Sequence, residues 1–392
     1  MRALEQPGDL IVTCGRGAAP MLCDELRALG YAPEPVEETA CRIHGALADA
    51  MRLNLWLRTA QRVLMPIARF AARSPDELYA GLMNEPWENL LHPDGYFSIT
   101  TGVDMPGIRD PRFAALRAKD AIADRMVKVC GKRPDSGGDR NQSVFHLHWS
   151  DNEATLCADT SGDPLSRRGY RLQSGPAPMQ ESLAAACLLA TPWRGESAFV
   201  NPMCGSGTLA IEAALIARNL APGRYRRNFG FMHIKGWREE EWKKLKREAE
   251  RAIRPRRKEL LVATDISPRA VEAARANAER AEVAGEIEFG VCDFAETRLP
   301  APPGIVVLNP EYGERMGDPA QLEPVYRRIG DFLKQKCTGY LGYVFTANLP
   351  LAKRIGLHSK RRMVLYNANL EGRLLEFELY AGTRDPGPQG TA

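Results

Sequence analysis

Residues 201–208, Asn-Pro-Met-Cys-Gly-Ser-Gly-Thr, constrain the fold of this chain more than any other stretch. They follow an apolar run, Ala198-Phe199-Val200, and open a helical pattern from Leu209 to Ile216. Strand, glycine turn and helix form the unit from which doubly wound parallel sheets are built. The turn brings a ligand close to bare backbone at a helix N-terminus. Gly205 and Gly207 are expected to remove Cβ atoms that would block that approach. An ordinary strand-to-helix turn uses the same residue types, so the weight lies in three motifs further along the chain. Asp265 ends a later strand, Asp293 follows a third, and Asn309-Pro310-Glu311-Tyr312 ends a fourth.

The 392 residues suffice for two or three domains. Apolar residues make up 44% and charged residues 26%, as in ordinary globular proteins. The net charge of +4 does not argue for a nucleic-acid partner, so local clusters must. Nine cysteines are scattered without a Cys-x-x-Cys pair, which indicates neither a disulfide framework nor zinc and fits a reducing cytoplasm. Met1 to Leu10 carries Glu5 and Asp9 and lacks a long apolar core, so no signal peptide is expected there. No run approaches the roughly 18–20 apolar residues that span a bilayer.

Leu10–Cys14 reads as a strand, Ala19–Leu29 and residues 46–61 as helices, and Val63–Phe70 and Tyr96–Thr101 as strands. Ser74-Pro75-Asp76-Glu77 is a helix start, and Phe113–Val129 is a strongly periodic helix. Val144–Trp149 and Glu153–Ala158 form an expected hairpin across Ser150-Asp151-Asn152. The first 160 residues thus mix α and β without βαβ rhythm. Asp163–Pro178, rich in proline and glycine, is the candidate linker. Beyond it the rhythm becomes strand–helix. Strands are expected at 197–201, 260–264, 286–291, 304–308, 340–346, 363–367 and 374–380, the last two joined by a turn over Asn367–Gly372. Residues 219–258 interrupt this rhythm as a charged insertion, and residues 383–392 read as a disordered tail.

Asp265 suits the hydroxyls of a ribose, the usual role of an acid at that strand tip; the alternative is a helix cap for Pro268–Ala281. It follows the glycines at far more than the roughly 20 residues of the dinucleotide fingerprint, a gap the insertion explains. Asp293 suits an adenine amino group, with Phe294 packing the ring, or is a surface acid. Asn309, the Pro310 carbonyl and Tyr312 can hold an exocyclic amine and stack its base, or form a plain strand-ending turn. His146 and His148 share one strand face, but without a third ligand no metal is expected.

Four basic clusters stand out: Arg167, Arg168 and Arg171 around Tyr170; Arg224, Arg226 and Arg227 around Tyr225; Arg254 to Lys258; and Lys360 to Arg362. Arginine beside tyrosine suits phosphate contact and base stacking. Arg167, Arg168, Tyr170, Arg171, Arg226 and Arg227 are the RNA-binding candidates, and a solvated charged face is the alternative.

Together, Asn201–Thr208, Leu165–Arg171, Glu181–Ala186 and Asn309–Arg315 resemble the class I S-adenosylmethionine-dependent guanine-N2 methyltransferases of large-subunit ribosomal RNA, over nearly the whole chain. The resemblance implies an α/β fold: a Rossmann-like seven-stranded catalytic domain preceded by an α+β ferredoxin-like and THUMP RNA-binding region. It divides the chain into 1–50 (ferredoxin-like), 51–162 (THUMP), a linker at 163–178, and 179–382 (methyltransferase). It also implies S-adenosylmethionine as cofactor, 23S rRNA as partner, a cytoplasmic location, and neither membrane nor metal. The cofactor site it implies is Asn201, Pro202, Met203, Cys204, Gly205, Ser206, Gly207, Thr208, Asp265, Ile266, Asp293, Phe294 and Asn309, with Asn309, Pro310 and Tyr312 catalytic.

The chain departs from pattern at Glu311, where such enzymes usually carry a second proline. That removes a φ constraint and leaves two outcomes open: a tuned pocket, or an RNA-binding protein without catalysis. A tRNA, DNA adenine or protein glutamine target also stays open.

Overall fold

The structure is a computed structural model. It describes residues 4–106, 108, 110–173, 178–256, 260–313 and 319–380, the side chains of 319 and 320 excepted. The expected tail, Glu314 and Arg315 of the fourth motif, and Arg257 and Lys258 lie outside the described residues. The chain forms two units, Met1–Gly169 with Asn219–Ile253, and Tyr170–Arg218 with Arg254–Ala392.

The first unit is built on β1 (Gly8–Cys14), α1 (Ala19–Ala28), β2 (Glu34–Glu37), β3 (Ala40–Gly45), α2 (Leu47–Trp56), β4 (Ala60–Ala71), α3 (Pro75–Asn84), β5 (Tyr96–Asp104), α4 (Pro111–Cys130), β6 (Asp135–Gly137), β7 (Ser143–Ser150) and β8 (Glu153–Asp159). Its eight strands lie in the order β2-β3-β1-β4-β8-β7-β5-β6. In β1, Leu10, Val12 and Cys14 alternate inward, and Leu10 pairs with Ile43. Ser74 caps α3 by accepting from Glu77 N–H. The β7–β8 turn holds Asp151 and Asn152 at φ of 50° and 63°, the left-handed conformation a tight hairpin needs.

One sequence expectation changes here. The helix over 46–61 stops at Trp56. Leu57 is extended, and the Glu25 carboxylate accepts the N–H groups of Arg58 and Thr59 at 2.8 and 2.9 Å, drawing the chain into β4. The hairpin β2–β3 carries no sequence signal in its first strand, because β2 is an edge strand with all four residues exposed. The boundary at 50/51 falls inside α2, and β4 pairs with both β1 and β8, so residues on either side of it share one sheet.

The second unit begins with α5 (Glu181–Leu189), β9 (Ala198–Pro202) and α6 (Thr208–Ala217). The insertion comes next, with α7 (Glu239–Arg251), and packs in the first unit. Phe229 and Phe231 stack at 5.2 Å, with Trp242 edge-on to both. A Cβ on Gly230 would lie 2.1 Å from the Asp159 carbonyl, so this backbone approach requires glycine. Then come β10 (Leu261–Asp265), α8 (Pro268–Arg280), β11 (Ile287–Val291), β12 (Gly304–Leu308), α9 (Pro319–Lys336), β13 (Tyr340–Thr346), α10 (Leu349–Ala352), β14 (Arg361–Asn367) and β15 (Leu370–Glu378).

The seven-stranded order is β11-β10-β9-β12-β13-β15-β14, with β15 alone running against the rest. β12 is buried at every position, as a central parallel strand should be. The final hairpin is tighter than expected: Asn367 pairs with Leu370, and only Ala368 and Asn369 turn. Gly372, read as a turn signal, sits inside β15. A side chain there would meet the Phe345 ring at 2.4 Å.

Candidate functional site

The carboxyl ends of β9, β10, β11 and β12 bring the motifs to one edge of the parallel sheet, where open α/β sheets bind ligands. After β9 the chain turns through Met203 (φ 61°), Gly205 (φ 54°) and Gly207 (φ 84°) into α6. Cys204 N–H donates to Thr264 O at 2.9 Å, locking the turn to the neighbouring strand.

The two glycines differ. A Cβ on Gly205 would meet nothing within 4 Å, so its bare backbone faces open space. A Cβ on Gly207 would lie 2.8 Å from Ala274 Cβ in α8. Gly207 therefore serves helix packing, and only Gly205 fits the expected close approach of a ligand.

Asp265 at the tip of β10 accepts from Gly205 N–H (2.9 Å) and Ser267 N–H (3.0 Å), one on each carboxylate oxygen. Each oxygen keeps a lone pair for a ligand hydroxyl. The cap of α8 is Ser267, which accepts from Ala270 N–H, so Asp265 is not used in that role. Beside it Ile266 is 71% exposed, and Val291 at the tip of β11 is 53% exposed. Two bare apolar side chains next to this carboxylate fit the flat face of an adenine. Sequence reasoning passed over Val291.

Asp293 accepts from Ala295 N–H (2.9 Å) and from Arg328 (2.7 Å). Partial burial pushes its carboxyl up, but those hydrogen bonds prevail and hold it below the ordinary range. Phe294, next in the chain, is 6% exposed. It is buried in the sheet core, 5.9 Å from the Phe332 ring, because an apolar ring gains more there than beside solvent.

At the tip of β12, Asn309 Oδ1 is buried and has no hydrogen-bond partner among the described residues. Buried acceptors are nearly always paired, so an orphan at a strand tip marks a place for a donor from outside. Asn201 is fully buried, and its side-chain N–H donates to Val307 O at 2.8 Å, tying the tips of β9 and β12. The Glu311 carboxylate is exposed, while Pro310 is buried. Tyr326 donates to the Glu311 carbonyl (3.1 Å) and Asn348 to the Tyr312 carbonyl (3.2 Å). Nothing local in the sequence marks these two residues as partners of that loop.

Most of the basic candidates turn inward. Arg168 is 1% exposed and donates to the carbonyls of Leu165 (2.8 Å) and Arg58. Tyr170 is equally buried and donates to Glu212 at 3.0 Å. Arg171 pairs with Glu181 (2.9 Å) and donates to Thr208 Oγ1 (3.0 Å) at the start of α6. Arg226 donates to the carbonyls of Pro164, Ser161 and Asp163 at 2.8–3.0 Å. Burial lowers its pKa to about 10. A guanidinium whose donors are spent on internal carbonyls and carboxylates is not free to hold phosphate, so Arg168, Arg171 and Arg226 brace the fold, and the buried Tyr170 hydroxyl does the same through Glu212. Arg167 and Arg227 are exposed, Arg167 beside Asp163.

The bare Gly205 backbone, Asp265, Ile266, Val291 and Asp293 thus lie along one edge of the sheet, and their chemistry fits a nucleoside-bearing cofactor. Among the described residues no group of three His, Cys, Asp or Glu side chains is placed to hold a metal ion. No helix among them is long and apolar enough to cross a membrane.

Fold and site together define a Rossmann-like class I methyltransferase domain of the kind that uses S-adenosylmethionine. The chain belongs to the family of RMKL-like methyltransferase domains, whose model matches residues 168–376; the RlmL ferredoxin-like domain matches residues 9–64. It is 40% identical to the ribosomal RNA large subunit methyltransferase K/L of Syntrophotalea carbinolica, over 96% of this chain and 54% of that protein. The chain thus spans about half the length of such curated relatives. Among solved structures it resembles SMU.472, crystallised with SAH, at a TM-score of 0.86 and 26% identity over 98% of this chain and all of that one. It also resembles a predicted N6-adenine-specific DNA methylase from Listeria monocytogenes, at a TM-score of 0.85 and 30% identity over 95% and 97% of the two chains.

Proposed function

We propose that this protein methylates the exocyclic N2 amine of a guanine in RNA, with 23S rRNA as substrate and S-adenosylmethionine as donor. The observation that carries this reading is the buried, partnerless Asn309 Oδ1 on the strand beside the glycine turn. An aromatic amine delocalises its lone pair into the base ring. Accepting its N–H protons at Asn309 Oδ1 and at the Pro310 carbonyl turns the lone pair out of that conjugation and aims it. Tyr312, only partly exposed, stacks on the extruded base. S-adenosylmethionine supplies an electrophilic methyl group when bound. Gly205, Ser206, Asp265, Ile266 and Asp293 hold it.

The names of the K/L relatives favour large-subunit rRNA over tRNA. The exposed Glu311 carboxylate leaves the acceptor in place, which favours a working site over a decayed one. We assign residues 1–162 and the packed insertion to RNA docking, with a ferredoxin-like part followed by a THUMP part, and place the reaction in the cytoplasm. The name of the Listeria neighbour favours a second reading, an adenine N6 target in DNA. Incubation of the protein with S-adenosylmethionine and, separately, 23S rRNA, tRNA and duplex DNA, followed by nucleoside mass spectrometry, decides. N2-methylguanosine in 23S rRNA is expected. N6-methyladenine in DNA, or no product in any arm, overturns the proposal.

A further inference from the structure

The loop that presents Asn309 has an unusual residue at 311 and an unusual restraint. Proline fixes φ by its ring, and glutamate does not. The restraint is a relay of buried hydroxyls. Asn348 N–H donates to Thr346 Oγ1 (3.1 Å), which lies 2.8 Å from Tyr326 Oη, which donates to the Glu311 carbonyl (3.1 Å). One proton order satisfies all three contacts: Thr346 donates to Tyr326, and Tyr326 donates to the loop. Tyr326 and Thr346 are fully buried. Burial raises the Tyr326 phenol to about 12, so its proton stays in place at any ordinary pH. Asn348 is itself fixed by accepting from Leu351 N–H (3.0 Å) and donates to the Tyr312 carbonyl. Glu311 N–H donates to no acceptor among the described residues, so a proline there breaks no described hydrogen bond.

We infer that Tyr326 is a positioning residue whose hydroxyl clamps the Glu311 carbonyl, replacing by tertiary contact the backbone stiffness that a proline at 311 would supply. The catalytic part of this inference rests on the proposed methyl transfer; the clamp itself does not. The clamp holds the peptide units next to Asn309 and Pro310, and acceptors act only when held in place.

The test is a double-mutant cycle on the full chain between Tyr326→Phe and Glu311→Pro. Tyr326→Phe keeps the ring that packs against the core and removes only the hydroxyl. It is expected to raise the conformational-exchange contribution to 15N relaxation at the Tyr312 and Gly313 amides about 5-fold, because losing one net hydrogen bond raises the open-loop population by about that factor. In the Glu311→Pro background the increase should shrink to about 2-fold or less, because the ring already restrains the loop. Single-turnover methylation of 23S rRNA should slow about 5-fold in the first background and about 2-fold in the second, with cofactor affinity unchanged in both. Equal effects in the two backgrounds, or no change at those amides, would overturn the clamp. If Glu311→Pro does not fold, Thr346→Val serves: it removes the donor that orients Tyr326 and should raise the same contribution at those two amides, and their silence refutes the idea. Coupled exchange in a chain that methylates nothing would remove the methyltransferase reading and leave the clamp standing.

Discussion

Asn309 and Gly205 are the two residues on which the proposed site depends most directly. For Asn309→Ala we expect the methyl-transfer step to fall on the order of 10²-fold, since a positioned acceptor acts mainly in the transition state. RNA affinity should hold, because phosphate contacts elsewhere dominate it. A single-turnover rate within 3-fold of wild type, about 0.7 kcal/mol, would remove Asn309 from catalysis. The two glycines make a matched pair of probes. Gly205→Ala places a methyl in open space and keeps a positive φ that costs about 1–2 kcal/mol. It should weaken S-adenosylmethionine binding about 10-fold or more, through one obstructed contact. Gly207→Ala drives a methyl into Ala274 and should lower stability by about 2–4 kcal/mol, from overpacking plus strain. Calorimetry and thermal melts of both variants separate the roles. Normal cofactor binding by a folded Gly205→Ala protein would contradict the ligand approach proposed for that turn.

At the scale of elements, the start of α6 is held by a residue that looks from sequence like an RNA contact. Arg171 bridges Glu181 on α5 and Thr208 on α6, and Asn277 on α8 donates to the Ser206 carbonyl at 3.0 Å. Arg171→Ala strands the largely buried Glu181 carboxylate, so we expect a loss of about 3 kcal/mol in stability and weaker cofactor binding. The salt dependence of RNA binding should stay the same. A phosphate contact would instead lower the salt slope by about one while leaving stability unchanged, and that result would return Arg171 to the RNA-binding residues. The cluster misleads because arginine serves equally as a phosphate ligand and as a five-donor bracket for buried carbonyls and carboxylates. Only the partners distinguish the two roles.

At the scale of the molecule, the insertion joins one unit covalently and packs in the other. Its ends meet inside the second unit, where Arg254 N–H donates to Arg218 O at 2.8 Å. Replacing residues 219–253 with a short glycine linker should therefore leave the second unit folded and able to bind S-adenosylmethionine. The first unit should lose several kcal/mol, since Phe229, Phe231 and Trp242 are buried in it and each large core side chain contributes about 3–5 kcal/mol. Two separate melting transitions, with only the first lowered, would support this. A single unchanged transition would contradict it. For the same reason residues 1–162 without the insertion lack part of their own core.

The catalytic half was legible in sequence because parallel strands buried on both faces read as continuous apolar runs, and ligand-facing turns need particular residues at their ends. The positions of its seven strands, the glycine turn after β9 and the placing of Asp265 and Asn309 at strand tips all follow from such local signals. What sequence did not reveal is contact between distant segments. The inward ring of Phe294, the packing role of Gly207, the internal partners of Arg168, Tyr170 and Arg226, and the tie from Tyr326 to Glu311 each join residues far apart in the chain. The same side chain is chemically able to serve either role in each case. Which one it serves is set by the atoms that folding brings within about 3 Å, the reach of a hydrogen bond, and that distance belongs to the tertiary structure alone.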